Sequence, residues 1–170
     1  MSLKPPLSAN DHTVGNAKAA IQVVEYGDYQ CPYCGDAYPV TQELVRRYGD
    51  KIAFAFRNFP LVEAHPEAFN AAIVAEFAAS LGQFWPAHDA LYENQDALGP
   101  ELYGQIVASL GQSAEQFQTA VDAGDRQDME SGLRSGVNGT PCFFINGQRF
   151  DQRGGFESLL DAVGQLVERT

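Results

Sequence analysis

The stretch IQVVEYGDYQCPYCGDAYPVTQELVRRYGD, residues 21–50, contains the change of period that decides the fold. Its opening, Ile21 to Tyr26, is a short β-branched, apolar run of the kind that forms a buried strand. A Gly27-Asp28-Tyr29-Gln30 turn follows, then Cys31 and Cys34 separated by Pro32 and Tyr33. From Pro32 to Tyr48 the apolar positions Ala37, Val40, Leu44, Val45 and Tyr48 recur at helical spacing, with a kink expected at Pro39 and an end at Gly49-Asp50. Strand, turn and helix in this order place Cys31 at a helix N-terminus.

Working outward, Ile52 to Phe56 (IAFAF) reads as a second strand, and residues 1–19, polar with two prolines, read as an irregular arm. Residues of about 62–135 are rich in Ala, Gln, Glu and Leu and carry no convincing strand. Within them a helix is expected from Pro66 to about Leu81, with further helices at 84–94, 100–110, 113–122 and 125–135. Strand pattern returns at Cys142–Ile145, turns at Asn146-Gly147 and pairs back through Gln148–Phe150. A helix from Glu157 to about Glu168 closes the chain. Alternating strands and helices around a small sheet, with an all-helical insertion between the second and third strands, imply an α/β fold in a single domain over 1–170.

The composition narrows the function. The 170 residues include 11 Phe, 7 Tyr and 1 Trp, too much apolar surface to leave in water. A formal charge of −11 opposes phosphate backbones and anionic lipid, so neither nucleic acid nor membrane is an expected partner. No apolar run approaches the roughly 20 residues of a membrane span. No secretory signal is visible in MSLKPPLSANDH, so the expected compartment is cytoplasmic for the chain as it stands, or periplasmic if it is a piece of a longer one.

The 3 cysteines cannot form a disulfide framework, and a bridge across so short a loop as Cys31–Cys34 removes little unfolded-state entropy. Chemistry is the better reading. Unsatisfied N–H groups and the macrodipole at a helix start favour a thiolate at Cys31, the form that acts in disulfide exchange, while Cys34, one turn further in, is better buried and placed to resolve. Half of a zinc site is the competing reading, but zinc needs two more ligands at short spacing, and Cys142, His12, His65 and His88 form no such pattern. Cys142 reads as a small buried hydrophobe more readily than as a third redox thiol. His65 reads as a helix-start residue, and Phe84 and Trp85 as core.

Strand–CPYC–helix, Pro39 five positions after the second cysteine, and Gly139-Thr140-Pro141 opening a late strand together resemble the thioredoxin superfamily. The helical block is similar to its DsbA-like branch, as are HPEAFNAA (65–72), FWPAHDALYENQ (84–95) and GVNGTPCFFINGQ (136–148). The likeness covers about residues 10–165. It implies that Thr140-Pro141 is the cis-proline loop that faces the cysteines and takes a substrate peptide by backbone pairing. It also implies that Glu25 is the acidic residue beneath the pair, which takes the proton of Cys34 during resolution. The Pro32-Tyr33 dipeptide is the one found in many glutaredoxins, and Cys142 stands where the family usually has Thr or another small residue.

The expected function is therefore a thiol–disulfide oxidoreductase that exchanges disulfides with cysteine-containing protein substrates and is recycled by a redox protein or glutathione, with no metal or organic cofactor. The alternatives are a glutathione-linked, glutaredoxin-type reductase, and a non-catalytic peptide-binding or iron–sulfur module.

Overall fold

A computed structural model describes residues 1–123 and 127–170. A mixed five-stranded sheet runs in the order β1-β3-β2-β4-β5. At its centre β2 (Ile21–Gly27) pairs in parallel with β3 (Ile52–Asn58), through the crossover helix α1 (Pro32–Tyr48), and antiparallel with β4 (Cys142–Ile145). Strand β5 (Gln148–Arg149) completes a hairpin with β4 across Asn146 and Gly147, whose φ values of 48° and 77° supply the two left-handed residues of a tight turn.

Alternation along β2 assigns its two faces. Ile21 and Val23 point toward α1 and α7 (Glu157–Glu168), joining Leu44, Phe54, Phe143 and Leu159 in one cluster. Val24 and Tyr26 point the other way, toward Leu3, Phe59, Val137, Cys142 and Phe144. Glu25 has the parity of Val23, which puts a carboxyl on the α1 side of the sheet between Phe56 and Phe143. The helices α2 (Ala68–Ser80), α3 (Phe84–Glu93), α4 (Pro100–Ser109), α5 (Ala114–Ala123) and α6 (Gln127–Arg134) all lie between β3 and β4, and α2, α3 and α4 share a third cluster with Tyr29, Cys31, Cys34 and Phe56. The fold is α/β, thioredoxin-like, with its helical block inserted between sheet strands. Phe84 lies in that third cluster and Trp85 packs against it, as core residues.

Three sequence expectations need correction. The arm over residues 1–19 is not wholly irregular, because His12–Gly15 forms β1, antiparallel to β3 in the register His12↔Phe56 to Gly15↔Ala53. Four residues reading HTVG carry little strand signal of their own, and the open edge of β3 organises them, since strand preference depends on context. Helix α2 begins at Ala68 rather than Pro66. Strand β3 continues past Phe56 through two buried polar residues, Arg57 and Asn58. The helix expected over 125–135 starts at positions outside the described residues, and α6 covers its remainder.

The burial of Arg57 explains how the arm is fastened. Its guanidinium, 3% exposed, pairs with Asp11 at 2.6 Å and also donates to the Tyr26 hydroxyl and to the carbonyls of Pro5 and Pro6. Removing one partner from a buried pair costs about 3–5 kcal/mol, because the remaining charge is left desolvated. Asp11→Ala is thus expected to lower the unfolding free energy by about 3 kcal/mol in urea titrations, and adding Arg57→Met should restore part of the loss.

Candidate active site

The site is built where β2 ends and α1 begins. Cys31 is the N-cap of α1, in extended conformation with φ −68° and ψ 121°, and Pro32 follows as the first helical residue. Proline suits that position because its missing N–H has no intrahelical partner to lose. The Cys31 N–H donates to the Asp28 carbonyl at 3.1 Å, and the Cys31 carbonyl accepts the N–H groups of Cys34 and Gly35 at 3.0 and 3.1 Å. Gln95, just beyond α3, reaches over the turn, and its amide donates to the carbonyls of Tyr29 at 2.7 Å and Cys31 at 3.0 Å. A Cβ at position 35 would run into the amide end of this Gln95 side chain, which would have to move off the turn.

The residues singled out from the sequence largely converge here. Cys31 and Cys34 are free thiols, and both are buried, Cys31 being 3% exposed and Cys34 0%. Tyr33 between them is 67% exposed. The Thr140–Pro141 peptide is cis, and the Cys31 thiol donates to the Thr140 carbonyl at 3.4 Å. Glu25 lies beneath, 3% exposed. Cys142 follows Pro141 directly, but its side chain belongs to the opposite face of the sheet, in the cluster around Tyr26 and Phe144 rather than the one that holds the redox pair.

Burial and hydrogen bonding push the two thiols apart. Cys31 is lowered to about 5, first by the hydrogen bond from Cys34, then by Thr140 and the N–H groups of Cys34 and Tyr33, against the cost of burial. The Thr140 hydroxyl, buried and without another hydrogen-bond partner among the described residues, is free to serve such an anion. Cys34 is raised well above 9, first by burial, then by the bond it gives to Cys31 and the nearby Glu25 charge. The Glu25 carboxyl is raised to about 8, first by burial and then by Cys31. Burial likewise pushes the Cys142 thiol up, with Arg149 opposing.

Three residues around the active-site turn were not read as functional from the sequence. The Asp28 N–H points at Cys34 Sγ, 3.5 Å away, and the Asp28 carboxylate receives His65 Nδ1 at 2.7 Å. His65 thus joins the active-site turn, where its position before Pro66 suggested only a helix start. Gln95 is the third omission. No spacing rule links positions 28, 65 and 95, and only the tertiary fold brings them together.

A family model described as thioredoxin matches residues 7–165. A Na(+)/H(+) antiporter, NhaA 3, from Salinispora tropica is 38% identical over 160 residues, which are 90% of this chain and 24% of that protein. The chain therefore spans about a quarter of the length of the curated relatives it matches. Among solved structures, a thioredoxin-like oxidoreductase from Silicibacter pomeroyi DSS-3 superposes with a TM-score of 0.74 at 26% identity, covering 95% of this chain and 94% of that one. BdbD from Bacillus subtilis gives 0.80 at 20% identity over 93% of each chain. Among the described residues, no helix is long and apolar enough to cross a membrane.

The shifts dictate opposite pH responses in the reduced protein. Cys31 titrates near 5 folded against 9.0 for an ordinary thiol, so the unfolded chain holds the extra proton between these values and Cys31 stabilises the fold increasingly as pH rises through them. Glu25 titrates near 8 folded against 4.5, so the folded state holds the extra proton and stability falls as pH rises over that window. Thiolate absorbance at 240 nm is expected to titrate near pH 5 and to vanish in Cys31→Ser. Glu25→Gln should raise the unfolding free energy at pH 8 by at least about 1 kcal/mol, read by denaturant titration.

Proposed function

The chain belongs to the thioredoxin family, with the helical insertion of its DsbA-like thiol–disulfide oxidoreductases and a Cys31–Cys34 redox pair, and on that premise we propose that it oxidises thiols of protein substrates. The observation that carries the direction is the stabilised Cys31 thiolate. A low-pKa thiolate is a good leaving group, and stabilising the reduced pair makes its disulfide the stronger oxidant.

In the first step a substrate thiolate attacks Cys31 Sγ, the Cys31–Cys34 bond breaks, and Cys34 leaves with the electron pair. Glu25, protonated below about pH 8, returns a proton to Cys34, whose own affinity for it is higher. In the second step another substrate thiolate attacks the substrate sulfur of the mixed disulfide, and Cys31 leaves as the thiolate. Two electrons have passed to the pair, and a redox protein or glutathione removes them. The helix start and the Gln95 clamp hold Cys31 still through both steps, so little reorganisation accompanies the change of charge.

Substrate binding falls to the Thr140-Pro141 loop and the exposed Tyr33. With Cys31 in a disulfide, the thiol no longer donates to the Thr140 carbonyl, and that acceptor is free for an N–H of the bound segment. The curated relatives are about four times as long and are named as antiporters, and in them the part that matches this chain is about a quarter of the length.

Cys34→Ser, first converted to the Cys31–glutathione mixed disulfide, is expected to accumulate mixed disulfides with a reduced, unfolded cysteine-bearing protein, whose thiolate attacks Cys31 Sγ while glutathione leaves; Cys31→Ser treated alike forms none, as read on non-reducing gels. The potential against glutathione should lie well above the roughly −270 mV of a reducing thioredoxin. A potential at or below that level would overturn the proposed direction. Cys142→Thr, on the far face of the sheet, should leave turnover and potential unchanged.

A further inference from the structure

The loop before the cysteines holds a buried carboxylate that the exchange reaction does not consume. Asp28 is 1% exposed, and each of its polar groups is engaged. Its carbonyl accepts the Cys31 N–H at 3.1 Å, and its N–H donates to Cys34 Sγ at 3.5 Å. Its carboxylate takes three donors, Gln30 N–H at 2.8 Å, Leu61 N–H at 2.9 Å and His65 Nδ1 at 2.7 Å. The Gln30 bond closes an Asx turn that fixes the local backbone, and the other two tie that turn to the segment after β3. The His65 side chain is 18% exposed, while the Asp28 side chain it meets is fully buried.

We propose that Asp28 is a positioning residue for the resolving thiol: its carboxylate, braced by Leu61 and His65, holds the Asp28 N–H on Cys34 Sγ, where it stabilises the Cys34 thiolate as that sulfur forms or leaves. This rests on the disulfide-exchange reading above and adds to it a specific donor. Cys34 is fully buried, so water offers its anion no solvation, and a hydrogen bond to an ionised acceptor is stronger than one to the neutral thiol. The N–H therefore discriminates between the charged and neutral forms of one sulfur. The carboxylate keeps it from turning away, because three donors converging on two oxygens leave that side chain a single orientation. The effect concerns the step in which Cys34 reacts and leaves the first encounter at Cys31 alone.

The aromatic disulfide 5,5′-dithiobis(2-nitrobenzoate) separates the two steps in stopped flow. The Cys31 thiolate attacks it, one thionitrobenzoate leaves, and Cys31 is joined to the other. The Cys34 thiolate then attacks Cys31 Sγ, the protein disulfide forms, and the second thionitrobenzoate leaves with the electron pair, while the Cys34 proton passes to Glu25. The reagent is the oxidant, and the second phase is independent of its concentration. Asp28→Asn replaces one carboxylate oxygen by an NH2 group, so either the Gln30 donor on Oδ1 or the Leu61 donor on Oδ2 meets a second donor. It is expected to slow the second phase about tenfold or more, the size of one charge-assisted hydrogen bond, and to move that phase's pH profile upward. The first-phase rate should stay within about twofold. His65→Gln should slow the second phase in the same sense and less, and it decides the matter alone if Asp28→Asn does not fold. A parent-like second phase in the folded variants overturns the proposal, as does equal slowing of both phases without a shift in pH profile. Release of a single thionitrobenzoate by the parent protein would instead overturn the exchange reading, and this inference with it.

Discussion

The negative charge on Cys31 Sγ has to be held where solvent scarcely reaches it, and the surroundings of that sulfur are arranged to meet this demand. The open N–H groups of the first turn of α1 face it because β2 delivers the chain to that point and Pro32 starts the helix at once. Strand β2 is held on both edges, by β3 and β4, so the delivery point does not move. The helical insertion supplies Gln95 from the far side, and β4 brings Thr140 across the sheet. Close approach of these pieces leaves no room for a side chain at Gly27, where a Cβ would meet the Phe56 ring, and a Cβ at Gly35 would push the Gln95 amide aside.

The same region is costly to the fold. Glu25 is a carboxyl enclosed between Phe56 and Phe143, and its proton affinity records the desolvation it suffers. Cys34 meets the same apolar surroundings and responds in the same direction. The offset lies in the clusters above and below, where Phe54, Leu44 and Leu159 on one face and Tyr26, Phe59 and Phe144 on the other are buried. Functional groups sit in the sheet at positions where an apolar residue would be more stable, a common arrangement when an active site needs a displaced pKa.

Much of this was legible before any coordinates. The switch from period two to helical spacing around Cys31-Pro32-Tyr33-Cys34 is a local signal, and so is the Asn146-Gly147 turn; both survive as read. The burial of Glu25 was legible from its apolar flank in IQVVEY, while its place beneath the cysteines was expected only from the family resemblance. Strand β1 was not, since His12 to Gly15 pair only because β3 has a free edge. Arg57 gave no warning of its burial, because the partners that make it tolerable, Asp11 and Tyr26, lie 46 and 31 positions away in sequence. Asp28, His65 and Gln95 share this difficulty. Each is an ordinary polar residue whose meaning comes from a contact across at least 37 residues or, for Asp28, from a backbone N–H that no sequence pattern displays.

The complete enclosure of Cys34 makes the pair a device with a single port. An incoming thiol, whether from a substrate or a recycling partner, can reach only Cys31, so electrons enter and leave by one sulfur while the other stays inside. A small electrophile meets the same asymmetry. It would find a reactive thiolate in the reduced protein and no target at the pair once Cys31 is tied to Cys34. Chemical damage is therefore gated by the redox state itself, and an oxidising cell compartment would protect this site by keeping it in the disulfide form.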